Sequence, residues 1–257
     1  MASTSDLPDI SLVIPAYNEA GGVGPTITRL FGAFQASGYR LQVVAVDNGS
    51  SDGTAEVLQR LQASHPDLII HRVPINRGYG NGILEGIPHA TAPWVGMIPA
   101  DGQVDAEDVV RLYESAQSTE GQIVAKVRRR FRVDGFRRKV VSIVYNGLVL
   151  MLWPTLGTLD VNGTPKLLRR EALLAMGLTS RNWFLDPEMM IKAHYMGLRV
   201  FEVNAFARMR GTGISHVRAE TCWEFFTELL RYRFLGALTV WRREVGRPYR
   251  AALRARS

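Results

Sequence analysis

The 257-residue sequence predicts an α/β protein with a mainly parallel sheet and helices on its faces. Three observations carry that prediction. Short β-branched runs alternate with helical patterns through the first hundred residues, as in βαβ units. A hydrophobic content of 46% over this length suffices for one well-buried core. Polar, glycine-bearing segments follow the strand runs, where open α/β sheets bind their ligands.

In chain order, residues 10–14, 41–46, 68–73 and 94–98 read as strands, and residues 23–36, 53–63, 80–89 and 105–117 as amphipathic helices. Gly38 supplies a stop for the first helix and Asp105 an N-cap for the last. The stretch 123–174 mixes a strand, an arginine-rich loop, an uncharged helical run and a Gly/Pro turn at 162–165, and reads as an acceptor-side insertion. Residues 201–203 read as a strand, 208–217 as a loop, and the chain from Thr221 as a helical tail. The domain expectation is a catalytic unit over 1–217 and a basic amphipathic tail over 218–257.

Composition narrows the partners. The net charge of +7 is concentrated in arginines at 128–139 and 231–254. No nucleic-acid motif accompanies them, so anionic lipid or phosphate ligands are expected, not nucleic acid. In the tail, Trp223, Phe226, Leu230, Phe234 and Trp241 recur at roughly helical spacing beside Arg231, Arg233, Arg242 and Arg243. That pattern suits either a core-docked helix or one lying on a membrane surface. Residues 140–159 carry no charge, but Asn146, Gly147, Pro154 and Gly157 interrupt them, which favours a buried or interfacial helix over a span. Cys222 is the sole cysteine and residues 1–9 lack the basic and apolar regions of a signal peptide, so a cytoplasmic location is expected, peripheral at the inner face of the cell membrane.

Three loops carry candidate chemistry. Ile14-Pro15-Ala16-Tyr17-Asn18-Glu19 ends the first strand in a proline-fixed turn that offers an aromatic ring and a carboxylate to a nucleoside base. Val46-Asp47-Asn48-Gly49-Ser50-Ser51-Asp52-Gly53-Thr54 ends the second strand in a polar loop running into a helix, which by itself also reads as an ordinary N-capped turn. Pro99-Ala100-Asp101-Gly102-Gln103 ends the fourth. There Asp101 and Gln103, two residues apart, can turn hard oxygen ligands toward one Mg²⁺ or Mn²⁺.

Taken together in this order and spacing, these loops resemble the family 2 glycosyltransferases, and within them the dolichol- and polyprenyl-phosphate mannose or glucose synthases. The loop Asn76-Arg77-Gly78-Tyr79-Gly80-Asn81-Gly82, the arginines Arg128 and Arg138 with Ser142, the turn Asp160-Val161-Asn162-Gly163 and the run Arg210-Gly211-Thr212-Gly213-Ile214-Ser215 support the match, which covers about 10–217. The resemblance implies a GT-A, Rossmann-like fold, a nucleotide diphosphate sugar donor and a polyprenyl phosphate acceptor. It places the base and ribose at Pro15, Tyr17, Glu19, Val46 and Asn48, and the metal and diphosphate at Pro99, Ala100, Asp101 and Gln103. It assigns phosphate-binding charge to Arg128, Arg138 and Arg210, puts His216 where the family has a lysine, and gives Arg138 and Ser142 to the acceptor.

Two positions depart from the pattern. Asn48 stands where an aspartate is expected and Pro99 where the first metal-site carboxylate is expected. An aspartate restored at 48 is expected to tighten UDP or GDP binding, because a carboxylate accepts an imino hydrogen bond more strongly than an amide does. An inverting displacement needs no base if the acceptor is a lipid phosphate, already an anion near neutral pH. A hydroxyl acceptor in polysaccharide or natural-product synthesis does need one, and Asp186 or Glu188 is the candidate. A nucleotide-sugar or lipid-phosphate binding protein without turnover is the third reading.

Overall fold

A computed structural model describes residues 7–129, 136–158, 160–205 and 219–256. The elements are β1 (Ile10–Ala16), α1 (Val23–Ala36), β2 (Leu41–Asn48), α2 (Thr54–Gln62), β3 (Leu68–Val73), α3 (Tyr79–Gly86), β4 (Trp94–Met97), α4 (Ala106–Ser118), β5 (Ile123–Arg129) and α5 (Phe136–Leu152). They continue with β6 (Lys166–Arg169), α6 (Arg170–Met176), α7 (Leu185–Met196), β7 (Arg199–Ala205), α8 (Ala219–Phe234), α9 (Thr239–Trp241) and α10 (Arg247–Arg256).

The described strands form one sheet in the order β3-β2-β1-β4-β6-β5-β7. β1 pairs in parallel with β2 on one side and β4 on the other, while β6 runs antiparallel to both β4 and β5. This is the expected GT-A-like arrangement, a mostly parallel sheet flanked by helices. The chain reverses its lateral direction between β1 and β4, and such a switch point opens a crevice at the carboxyl ends of the strands. The segment 123–174 begins in the sheet with β5, returns to it in β6 and ends within α6.

Alternation along each strand feeds two cores. Leu12 and Ile14 of β1 pack with Ile27, Leu30 and Phe34 of α1 and Tyr113 of α4, whereas Val13 packs with Ile83 of α3, Val149 of α5 and Met189 of α7. Both faces are covered, which is why these strands are nearly continuous in apolar residues. Truncating Phe34 at the centre of the first core would cost about 3–5 kcal/mol.

Local chemistry sets the helix ends. Gly38 takes φ +76° after α1, and its N–H reaches the Gln35 carbonyl, as an αL stop requires. Asp105 occupies the N-cap of α4 with extended backbone, but its side chain makes no capping bond there; Glu107 and Asp108 place negative charge in the first turn instead. The helix expected over 80–89 ends at Gly86 and gives way to a 3-10 turn over Ile87–His89, because Pro88 has no N–H to donate to the carbonyl four residues back, although Ile87 itself keeps helical geometry.

α8 has two apolar stripes. Phe225, Leu229 and Tyr232 pack against the core, while Trp223, Phe226 and Phe234 on the opposite side stay exposed. α10 and the π-helical stretch Arg242–Gly246 lie on α7. Among the described residues no helix is long and apolar enough to cross a membrane.

Candidate active site

The first two motif loops are stitched together. Asn18 adopts φ +53°, a left-handed conformation that asparagine tolerates better than most residues. This lets its Oδ1 accept the Ser51 N–H at 2.9 Å while its own N–H donates to Ser50 Oγ at 3.0 Å. One residue on, the Glu19 N–H donates to Thr54 Oγ1 at 2.9 Å and the Ala20 N–H to Asp52 Oδ2 at 3.2 Å. Burial would raise the Asp52 carboxyl, but hydrogen bonds from the Thr54 hydroxyl and from the Ala20 and Thr54 backbone outweigh it and hold the group below its ordinary value. Tyr17 and Glu19 thus ride on a fixed turn at the mouth of the crevice, both half-buried.

Asn48 ends β2 almost fully buried. Its Nδ2 donates to the Gly78 carbonyl at 2.9 Å and to Asn76 Oδ1 at 3.1 Å, while its Oδ1 is buried without a hydrogen-bond partner. Asn76 Oδ1 also accepts the Gly78 N–H at 2.8 Å. A carbonyl can only accept, so the orientation of the Asn48 amide is fixed. Gly82 brings α3 onto the same spot, since a Cβ there would lie 2.8 Å from Pro15 Cβ. Pro15, Asn48 and the loop 76–82 therefore converge. The neighbouring Asp47 turns the other way, accepting the Ser50 N–H at 3.0 Å and lying 3.6 Å from Arg72 Nε.

Beyond β4, Pro99 is half-buried and Asp101 and Gln103 share one turn. Gly102 takes φ +64°, and the Gln103 N–H donates to Asp101 Oδ1 at 3.2 Å. Thr26 Oγ1 donates to the Ala100 carbonyl at 3.1 Å and ties the turn to α1. Among the described residues no group of three His, Cys, Asp or Glu side chains can hold a metal ion. The two oxygen-bearing side chains of this turn suit a hard cation only if other oxygens complete its shell.

The remaining candidates separate. Val46 and Ala100 are buried, Val46 with its Cγ2 toward Gly86, so each offers only backbone to a ligand. Arg128 lies near the end of β5, and Arg138 and Ser142 on α5; their side chains, like all of Arg210 and His216, lie outside the described residues. Asp186 and Glu188 sit in the first turn of α7. Asp186 Oδ1 pairs with Lys166 Nζ at 2.5 Å, and both side chains are buried. Glu188 is fully buried and accepts from Lys192 Nζ at 2.7 Å and from the Thr179 and Ser180 N–H groups at 3.1 and 2.8 Å. Burial alone would raise the Glu188 carboxyl, but Lys192 and Ser180 hold it below its ordinary value.

One feature of this region escapes sequence reasoning. Met97, Lys166, Lys126 and Glu202 are direct partners across β4, β6, β5 and β7, so they line one row of the sheet below the Pro99 turn. Both lysines are fully buried. Lys126 is held by Glu202 Oε1 at 3.0 Å, Thr158 Oγ1 at 3.2 Å and the Asp160 carbonyl. Burial first, and repulsion from Lys166 second, push its ammonium below the ordinary lysine value. The available signal is parity: Val124 and Lys126 share a face of a strand buried on both sides, so that lysine must be paired.

The model of the glycosyl transferase family 2 matches residues 11–177, well over half the chain. The chain belongs to glycosyl transferase family 2. It is 35% identical over 142 residues to the undecaprenyl-phosphate 4-deoxy-4-formamido-L-arabinose transferase of Edwardsiella ictaluri, an alignment that takes in 54% of this chain and 43% of that protein. It is 27% identical over 207 residues to the dolichyl-phosphate beta-glucosyltransferase of Trichomonas vaginalis, covering 76% of this chain and 64% of the relative. The chain thus spans less than two thirds of either relative. Its fold matches glucosyl-3-phosphoglycerate synthase from Mycobacterium tuberculosis, solved with Mn²⁺, UDP and phosphoglyceric acid, at a TM-score of 0.70 and 20% identity, over 88% of this chain and 79% of that one. The family 2 chain is therefore a glycosyltransferase of GT-A fold.

Proposed function

We propose that this glycosyltransferase moves a sugar from a nucleoside diphosphate sugar to a polyprenyl phosphate at a membrane surface. In the reaction a phosphate oxygen of the acceptor forms a bond to the anomeric carbon, and the bond from that carbon to the donor diphosphate breaks. One displacement inverts the anomeric configuration. The acceptor is an anion from the start, so no residue has to take a proton.

The observation that carries this reading is the state of the two carboxylates a hydroxyl acceptor would need. Glu188 spends its oxygens on Lys192, Thr179 and Ser180. Asp186 is buried against Lys166. A general base must lie within hydrogen-bond reach of the proton it removes; both carboxylates already have buried partners, and Glu188, held below its ordinary value by Lys192 and Ser180, is a poor base.

On the donor side, Pro15, Tyr17, Glu19 and Asn48 hold the nucleoside, and the Asn48 Oδ1 acceptor, buried and unpartnered, faces the imino donor of a base. Asp101 and Gln103 hold Mg²⁺ or Mn²⁺ together with diphosphate oxygens. When bound, that cation supplies charge to stabilise the departing nucleoside diphosphate. Arg128 and Arg210 add positive charge for the phosphates, with His216 in the sequence position of the family's lysine, and Arg138 with Ser142 serves the acceptor. The names of the two relatives, which act on undecaprenyl and dolichyl phosphate, agree with this acceptor class.

The outer stripe of α8 supports the membrane. Trp223, Phe226 and Phe234 are exposed, Arg233 and Arg231 border the stripe, and α5, which meets the inner face of α8 through Tyr145 and Phe225, carries exposed Val144 and Met151 of its own. Aromatic side chains edged by arginine suit an anionic bilayer interface. The test is transfer from UDP- or GDP-sugars to polyprenyl phosphate with Mn²⁺. A labelled lipid product is expected, and its absence alongside a glycosylated alcohol overturns the reading.

A further inference from the structure

We propose that Asn182 and Trp183, braced by Glu224 of α8, are positioning residues for the nucleotide donor, acting through the loop 76–82. This rests on the donor reading of Pro15 and Asn48, and it extends the donor site past residue 177, where the family match ends.

The segment between α6 and α7 has a fixed path. Gly177 closes α6 at φ +54°, and the buried Glu188 carboxylate accepts the Thr179 and Ser180 N–H groups. From there the segment presses on the donor loop. The Arg181 carbonyl accepts the Asn81 N–H at 2.6 Å, and the Trp183 ring stacks on Tyr79 with centroids 4.9 Å apart and planes 10° from parallel. Asn182 Nδ2 donates to Glu224 Oε1 at 2.8 Å, which anchors the segment to α8.

The contact is too close for side chains. A Cβ on Gly78, itself at φ +107°, would lie 1.9 Å from Asn182 Oδ1, and a Cβ on Gly80 would lie 2.4 Å from the Ser180 carbonyl. The other side of the same loop rests on Asn48 and Pro15. The loop 76–82 is thus gripped between the 180–183 segment and the residues that hold the base. The Asn48 amide takes its orientation from Gly78, so the grip sets where the unpartnered Asn48 Oδ1 points.

The experiment measures UDP and GDP affinity with Mn²⁺ by calorimetry, and donor KM and kcat, for the wild type and for Trp183→Ala, Trp183→Phe, Asn182→Ala and Gly80→Ala. Trp183→Ala is expected to weaken the diphosphate that the wild type binds, and to raise donor KM, roughly tenfold, the scale of a lost aromatic stack. Its kcat should stay within about threefold, since the displaced groups bind donor and transition state alike. Trp183→Phe should restore most of the affinity. Gly80→Ala should reproduce the loss from the opposite side of the contact, and Asn182→Ala should give a smaller one. Wild-type affinity in Trp183→Ala and Gly80→Ala overturns the positioning role alone, as does a fall confined to kcat. A wild type that binds neither diphosphate overturns the donor reading and this inference with it.

Discussion

Glu188 and Lys192, one turn apart on α7, meet at 2.7 Å with the carboxylate fully buried. Removing one partner of such a pair leaves the other buried and uncompensated. Glu188→Gln is therefore expected to lose about 3–5 kcal/mol of stability in urea unfolding, while activity per folded molecule changes little. A loss of turnover without a loss of stability would instead mark Glu188 as a base.

The same pair predicts a pH dependence. The folded Glu188 carboxyl lies below its ordinary value, so its contribution is fully present above the unfolded pKa, about 4.3, and is lost as pH falls through the lower folded value. The stability gap between wild type and Glu188→Gln should be constant from neutral pH down to about 5 and shrink below 4. Unfolding midpoints across that range check it; a gap that widens in acid contradicts it.

Asn48→Asp tests how the loop 76–82 is held. Read from the sequence, this change should tighten UDP or GDP binding. The bonds argue for the opposite sign, since the amide donates to two oxygens, at Gly78 and Asn76, and a carboxylate would set oxygen against oxygen. Donor affinity is expected to fall roughly tenfold, two lost hydrogen bonds outweighing one strengthened one. Calorimetric titration decides between the two signs.

Asp101→Ala removes the single carboxylate of the turn after β4. Transfer should fall roughly a hundredfold, and the thermal stabilisation that UDP or GDP with Mn²⁺ gives the wild type should disappear, because a ligand that no longer binds no longer shifts unfolding by mass action. Wild-type activity of this variant in chelator-treated buffer would rule out the cation.

Replacing Trp223 and Phe234 with glutamine should reduce sedimentation with phosphatidylglycerol vesicles at least roughly tenfold, with little effect on the melting temperature, since both rings are exposed. Equal binding to neutral and anionic vesicles would remove the arginines from the account, and unchanged binding would remove the aromatic stripe.

Much of this architecture was legible in the residues because the central strands β1 and β2 had to bury both faces. The runs at 10–14 and 41–46 are apolar nearly throughout, and the structure extends them to Ala16 and Asn48 without moving a motif. The three loops follow the same ends of neighbouring strands because β2, β1 and β4 are parallel. What stayed hidden depends on partners far along the chain. Nothing local to Asp186 names Lys166, twenty residues before it, and nothing near Asn48 names Gly78. Pro88 was a visible stop that the helical pattern of 80–89 concealed. Of the two stripes of α8, the sequence pattern picked out Trp223, Phe226 and Phe234, and only packing tells that these face water while Phe225, Leu229 and Tyr232 face the core.

The most direct measurement of the central claim is organic extraction of product after incubating the purified chain with Mn²⁺, labelled nucleotide sugar, and either polyprenyl phosphate or the corresponding free polyprenol in phosphatidylglycerol vesicles. The account predicts label in lipid only with the phosphate, retained within about threefold by Asp186→Asn and strongly reduced by Arg138→Ala. Label transferred to the free alcohol, with polyprenyl phosphate inert and Asp186→Asn abolishing the reaction, would contradict it.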